Sequence, residues 1–156
     1  MKKIIVFLLV CISITTFSCS SISNPKNPYF VNGNKVYYGY RGEEVKDADV
    51  NTFENISYST SNCDYRDYGK DNKNVYFKNS KVEGADPESF AMLKQGYYKD
   101  KRYIYFYGKR LVGSDSRKEI IFIEGNKDND CVPWGDGGCI VNNGNKYLGG
   151  EKSSKF

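Results

Sequence analysis

Lys70-Asp71-Asn72-Lys73-Asn74-Val75-Tyr76-Phe77 and Lys99-Asp100-Lys101-Arg102-Tyr103-Ile104-Tyr105-Phe106 spell one pattern twice, 29 residues apart: Lys-Asp, three variable residues, an aliphatic, then Tyr-Phe. Seven residues past Val75 and Ile104 stands a second aliphatic, Val82 and Leu111. Successive side chains of a strand face opposite sides, so Val75 and Phe77 point one way and Tyr76 the other. Lys78-Asn79-Ser80-Lys81 and Tyr107-Gly108-Lys109-Arg110 supply hairpin turns, and Val82 and Leu111 open the return strands. A looser copy precedes them, Asn34-Lys35-Val36-Tyr37-Tyr38, with Val45 after a turn two residues longer. Recurrence at a near-fixed spacing marks a repeat architecture, in which one unit buries too little to stand alone and neighbours share a core.

The tail of the unit recurs as well. Val45-Lys46-Asp47-Ala48-Asp49-Val50-Asn51-Thr52-Phe53 matches Val82-Glu83-Gly84-Ala85-Asp86-Pro87-Glu88-Ser89-Phe90, with Ala, Asp and Phe at the same three offsets. Asp86 reads as a helix N-cap with Pro87 at the first helical position. Phe90 and Leu93 then fall on one face of that helical turn. After Leu111 only Gly113 and Asp115 keep the tail pattern, and the repeat decays. Glu119-Ile120-Ile121-Phe122-Ile123-Glu124 reads as an apolar strand in the centre of a sheet. Residues 139–148 read as a closing hairpin on an Asn143-Gly144 turn. The expected fold is mainly β with short α: tandem β-hairpin repeats with short helical turns. The 14 tyrosines, nine phenylalanines and 15 glycines suit twisted β-structure.

Lys-Asp-x-x-x-Val-Tyr-Phe, a turn, and then Val-x-Gly-Ala-Asp-Pro-x-x-Phe resemble the DKNYY family of bacterial exported proteins, named for an Asp-Lys-Asn-Tyr-Tyr-like repeat. The nearest version of that motif here is Asp71-Asn72-Lys73-Asn74-Val75-Tyr76-Phe77. The resemblance covers residues 32–115 and is most specific at 70–90. It implies a repeat fold and an exported location, and it carries over no catalytic residue.

The N-terminus reads as an export signal. Met1-Lys2-Lys3 is followed by an apolar run from residue 4 to 14 and then by Thr15-Thr16-Phe17-Ser18-Cys19. A membrane-crossing helix needs about 20 apolar residues, more than this run supplies. Ser18-Cys19-Ser20-Ser21 resembles a lipobox, with Thr16 where a Leu is usual. Cleavage before Cys19 would leave that cysteine as the lipid attachment site; ordinary cleavage nearby is the alternative. The expected layout is a signal peptide at 1–18, a polar tether at 19–30, hairpin repeats at 31–118, a C-terminal hairpin segment with a Cys-bracketed loop at 119–150, and a flexible tail at 151–156. Of the five cysteines, Cys11 leaves with the signal and Cys19 takes lipid. Cys131 and Cys139 bracket a Pro/Gly-rich loop and form the preferred disulfide, which leaves Cys63 odd.

The chain contains no histidine. That removes Ser-His-Asp and Cys-His nucleophilic sites and His-containing zinc sites. Ser23 and Lys26 have Ser-x-x-Lys spacing but sit in the tether. Asp128, Asn129, Asp130 and Asp136 offer hard oxygen ligands of the kind calcium takes, without the EF-hand pattern, and read as a solvated turn. No catalytic residue, metal or cofactor is expected. Loss of Lys2 and Lys3 lowers a formal charge of +4 by two, and the remaining lysines are scattered among acids, which argues against nucleic acid.

The candidate binding surface consists of Tyr37, Tyr76 and Tyr105, which hold equivalent places in three copies, together with Trp134. An open tyrosine row would suit a protein or glycan partner; the alternative is a packing ladder between repeats. Trp134 is either a lid or an exposed anchor. Lys70-Asp71 and Lys99-Asp100 read as turn residues. The expectation is a non-enzymatic envelope lipoprotein, held at the membrane through its N-terminal lipid, whose repeats contact protein or glycan. The alternatives are an accessory or inhibitor lipoprotein with one specific protein partner, and a histidine-free carboxylate enzyme.

Overall fold

The computed structural model describes residues 27–56, 67–94, 96–123 and 138–153. These form four small antiparallel sheets in chain order, each a meander of strands joined by short turns. The first unit has three strands, β1 (Tyr29–Asn32), β2 (Lys35–Tyr38) and β3 (Glu43–Glu44). The second has β4 (Glu54–Asn55), β5 (Tyr68–Lys70), β6 (Val75–Phe77) and β7 (Ser80–Lys81). The third has β8 (Ala91–Met92), β9 (Tyr97–Lys99), β10 (Ile104–Phe106) and β11 (Lys109–Arg110). The fourth has β12 (Ile120–Ile123), β13 (Cys139–Asn142), β14 (Asn145–Leu148) and β15 (Glu151–Lys152).

Register makes the four units superposable. The central hairpins pair Phe30 with Tyr37, Gly69 with Tyr76, Tyr98 with Tyr105 and Ile140 with Tyr147. The chain then returns through one backbone bond that recurs in every unit. Val45 N donates to Val36 O, Val82 N to Val75 O, Leu111 N to Ile104 O and Ser153 N to Lys146 O. The repeat therefore does not decay after Leu111; residues 120–123 and 138–153 form a fourth unit, with Tyr147 in the row of Tyr37, Tyr76 and Tyr105.

Several turns use residues at positive φ, as tight two-residue hairpins require. Tyr107 and Gly108 sit at φ 44° and 76°, Asn143 and Gly144 at 51° and 72°, Gly149 and Gly150 at 52° and 83°. Gly108 and Gly150 also answer to packing. A Cβ at Gly108 would stand 2.8 Å from the Cβ of Phe77, and one at Gly150 would stand 2.3 Å from Cδ1 of Phe106. Each phenylalanine thus rests on the turn of the following unit.

The core lies between units. One cluster combines Tyr29, Val36 and Val45 with Tyr76 of the next unit. A second combines Tyr68, Val75, Val82 and Phe90 with Tyr98 and Tyr105. A third combines Tyr97, Ile104, Phe106 and Leu111 with Ile140 and Tyr147. Each apolar face is completed by its neighbour, as stacked repeats require.

Four expectations change. The segments read as short helical turns are single turns, and no helix occurs among the described residues. Asp86 does cap its turn, accepting from the Ser89 amide at 3.2 Å, but β8 begins at Ala91, too soon for a helix to repay its nucleation cost. Phe90 and Leu93 consequently join different clusters. The strand at 120–123 is an edge strand; its apolar run faces the third unit's core through Ile120 and Phe122, while Ile121 is 48% exposed. The tether ends earlier than expected, because Tyr29 and Phe30 belong to β1, and the tail begins later, because the Gly149-Gly150 turn brings Glu151 and Lys152 back as β15.

Candidate functional site

The lysine-aspartate turns are the joints of the array. Asp71 Oδ1 accepts the amides of Lys73 (2.8 Å) and Asn74 (2.7 Å), closing its own turn. Its Oδ2 accepts the Tyr76 phenol (2.9 Å) and the backbone N–H of Asp49, in the preceding unit's tail (3.0 Å). Asp100 repeats every contact. Oδ1 takes Arg102 N and Tyr103 N at 2.7 Å each, and Oδ2 takes the Tyr105 phenol (2.8 Å) and Asp86 N (3.1 Å). In the fourth unit Asn142 stands in for the aspartate: its Oδ1 accepts Asp115 N at 2.8 Å, and its Nδ2 donates to the carbonyls of Asp115 and Glu119. Turn closure accounts for half of what these aspartates do; the other half ties one unit to the next.

The tyrosines complete the joint. The phenols of Tyr76 and Tyr147 donate to Asp47 O (3.1 Å) and Val112 O (3.0 Å) of the preceding tail, and that of Tyr105 reaches Gly84 O (3.5 Å). Tyr76 and Tyr105 have no exposed surface. They are therefore a packing ladder and do not form the open row considered from the sequence. The reason is that a stacked sheet is covered on both faces, so the strand side opposite Val75 is as dry as the side Val75 occupies. A second ladder was missed. Tyr29, Tyr68 and Tyr97 open the first hairpin strand of their units, and each phenol meets the next unit's turn: Tyr29 at Lys78 O (3.0 Å), Tyr68 at Gly108 N (2.6 Å), Tyr97 at Gly150 N (3.3 Å). Cys139 holds the same register position in the fourth unit.

Electrostatics follow from these contacts. Burial pushes the Tyr76 and Tyr105 phenols well above the ordinary tyrosine value, and their bonds to Asp71 and Asp100 push the same way. Burial would also raise the Asp71 carboxyl, but the amides of Asp49, Lys73 and Asn74 and the Tyr76 phenol outweigh it and hold the group low. An open groove of about 380 Å³ beside this joint is lined by Glu54, Lys70, Asp71 and Glu88, among others. Lys70 bridges to Glu54 at 3.2 Å and donates to Pro87 O at 2.9 Å, and the Asp71 carboxylate is already filled by four donors. No cluster of three or more His, Cys, Asp or Glu positioned for a metal occurs among the described residues.

The first unit differs from the others at one face. Phe30 and Tyr37 stack at 5.5 Å and 19°, in the register that Tyr98 and Tyr105 hold two units on. Over that later pair lies Phe90 of the preceding tail, with ring centroids 5.4 Å and 5.3 Å away. Over Gly69 and Tyr76 lies Phe53, whose ring fills the place a side chain at Gly69 would take. Among the described residues nothing comparable covers Phe30, which is 46% exposed, or Tyr37, which is half-buried. Val31 and Tyr40 are exposed in the same unit. Cys139 is disulfide-bonded, and no other cysteine is among the described residues. Cys19, Cys63, Cys131, Trp134 and the Asp128–Asp136 loop lie outside the described residues.

The model of the DKNYY family matches in two overlapping segments, residues 29–82 and 68–153. Each match begins at the tyrosine that opens a unit's central hairpin, Tyr29 or Tyr68, and ends at the residue whose amide makes the return bond, Val82 or Ser153. No curated protein and no solved structure matches the chain.

Proposed function

The chain belongs to the DKNYY family, and from that premise we propose that it is a non-enzymatic, membrane-anchored module of the cell envelope whose stacked units contact another protein. The observation that carries the reading is the Phe30–Tyr37 pair, an aromatic face of the kind that is covered in later units and that, among the described residues, nothing comparable covers in the first. Large exposed apolar side chains gather in the same unit, at Phe30, Val31 and Tyr40, and aromatic residues with a polar tip are the usual anchors of protein interfaces. The joint acids and phenols of the later units are engaged in structural bonds, which favours a scaffold over a reaction centre. Burial of Tyr76 and Tyr105 weighs against a sugar-binding row, so the protein partner is preferred over glycan.

Anchoring rests on the leader: two lysines, an apolar run and Cys19 after Ser18. Two or more acyl chains on one residue hold a protein at a bilayer stably, where a single chain does not. Metabolic labelling with a palmitate analogue tests this half of the proposal. Label should enter the wild-type chain and be absent from Cys19→Ala, which should leave the membrane fraction. Photo-crosslinking in intact cells from Tyr37 and from Val112, an exposed apolar residue that follows the third unit's return strand, tests the other half. A discrete protein adduct from either position supports the reading, and none from both overturns it.

A further inference from the structure

The array displays three times what its units bind. At each internal joint a tail segment of the preceding unit lies across the next unit's hairpin. The tail offers a backbone N–H, which goes to the side-chain oxygen of Asp71, Asp100 or Asn142. It offers a carbonyl, which meets the phenol of Tyr76, Tyr105 or Tyr147. In two of the three joints it also lays a phenylalanine, Phe53 or Phe90, on the cross-strand pair. The first unit has the receiving half of this joint. Tyr37 stands at the phenol position, Phe30 across from it, and Asn32 at the position that Asn142 shows an asparagine can fill.

We propose that this face is a docking site for a tail of the same chemistry supplied by another polypeptide: an extended segment with an aspartate whose backbone N–H meets Asn32 and a phenylalanine four residues later that covers Phe30 and Tyr37. The occupant follows from continuity with the internal joints, which show the bound form of such a segment in this chain itself. A second copy of the chain is a poor donor, because both of its Asp-x-x-x-Phe tails, 49–53 and 86–90, are engaged in its own joints. The inference rests on the reading of the chain as a protein-contacting module and adds to it the site and the ligand pattern.

The test is titration of the intact chain with a synthetic peptide of residues 81–90, followed by amide and aromatic resonances and by calorimetry. Saturable binding is expected, with shifts confined to β1, β2 and their turn. A peptide carrying Phe90→Ala should bind at least tenfold more weakly, and this comparison leaves the protein's own folding untouched. Phe30→Ala and Tyr37→Ala should each weaken binding about tenfold, while Tyr40→Ala should leave it unchanged. Absence of saturable binding, or indifference to both Phe90→Ala and Phe30→Ala, overturns the proposal. Binding only after removal of residues 19–26 overturns it too, since the chain's own leading segment would then be the occupant. If the peptide fails while photo-crosslinking from Val112 yields a discrete adduct, the site assignment falls and the protein-contacting function stands.

Discussion

The Tyr105 phenol donates to Oδ2 of Asp100 at 2.8 Å, and the same oxygen takes the Asp86 amide from the unit before it. Asp100 is 2% exposed and Tyr105 fully buried, so neither group has water as an alternative partner. Tyr105→Phe keeps the ring and removes one bond, and should cost about 1 kcal/mol. Asp100→Ala strands the amides of Asp86, Arg102 and Tyr103 as well, and should cost about 3 kcal/mol, because unmet buried donors carry their desolvation penalty. Asp100→Asn should fall between them, as Asn142 serves in the fourth unit. Urea midpoints order the three variants; equal losses for Tyr105→Phe and Asp100→Ala would show that the joint is not shared as described.

Acid should loosen the joint between the first and second units. The Asp71 carboxyl is held below its ordinary value of 3.8 in the fold, because four donors outweigh the effect of burial. A carboxyl depressed in the folded state contributes stability that is present above the unfolded value and lost as pH falls through the folded one. Between pH 5 and pH 3 the wild-type urea midpoint should therefore drop. Asp71→Asn, which has no proton to gain, should be weaker at pH 5 and should drop less over the same interval. A drop of equal size in both proteins would remove Asp71 from the acid response.

The hairpins were legible because Val75-Tyr76-Phe77 and Ile104-Tyr105-Phe106 recur with their turns, and local pattern is enough to place a strand pair. The closing hairpin at 139–148 was legible from its Asn143-Gly144 turn, but its membership of the repeat was not, for three particular reasons. Lys146 stands where the others have Val36, Val75 or Ile104, Asn142 where the second and third have Asp71 and Asp100, and a long insertion parts β12 from β13. The surviving signal was Asn143-Gly144-Asn145-Lys146-Tyr147, a tight turn followed by a tyrosine at the right distance. The fate of the tyrosines was illegible on physical grounds. Alternation separates the two faces of a strand but does not say which is dry, and in a stacked array both are: Val75 and Tyr76 are adjacent and both fully buried. The open Phe30–Tyr37 pair stands out only by contrast with the covered pairs of the later units. Nothing in Phe30-Val31-Asn32 alone distinguishes it from an internal strand.

Gly69 lies in the middle of β5, where an alanine would ordinarily be no worse. Its Cβ, however, would stand 2.4 Å from Cζ of Phe53. Phe53 is carried by the preceding unit's tail and packs on Tyr29 and Tyr76, at ring-centroid distances of 5.0 Å and 5.9 Å, so its retreat disturbs those contacts. Gly69→Ala should cost about 1–3 kcal/mol through overpacking. In Gly69→Ala combined with Phe53→Leu the loss should be smaller than the sum of the two single losses by at least about 0.5 kcal/mol, since the residues compete for one space. Strict additivity in a double-mutant cycle would mean that Phe53 does not fill the Gly69 position.

On the pairing expected from the sequence, Cys131 with Cys139, reduction should act on one end of the array only. Cys139 is buried, disulfide-bonded, and takes the strand position that Tyr29, Tyr68 and Tyr97 hold elsewhere. Those tyrosines each reach forward to a following unit's turn; in the fourth unit a covalent tie stands in their place. A native disulfide is worth about 2–4 kcal/mol. In stacked repeats, stability is the sum of unit and neighbour terms, so its loss is felt first where the bond sits. Amide exchange at Ile140 and Tyr147 should therefore quicken on reduction, and to the same extent in Cys139→Ser. Val36, three interfaces away, should exchange at its former rate. Parallel acceleration at Val36 and Ile140 would show that the four units open as one, and that the joints at Asp71 and Asp100 couple the array more tightly than a nearest-neighbour sum allows.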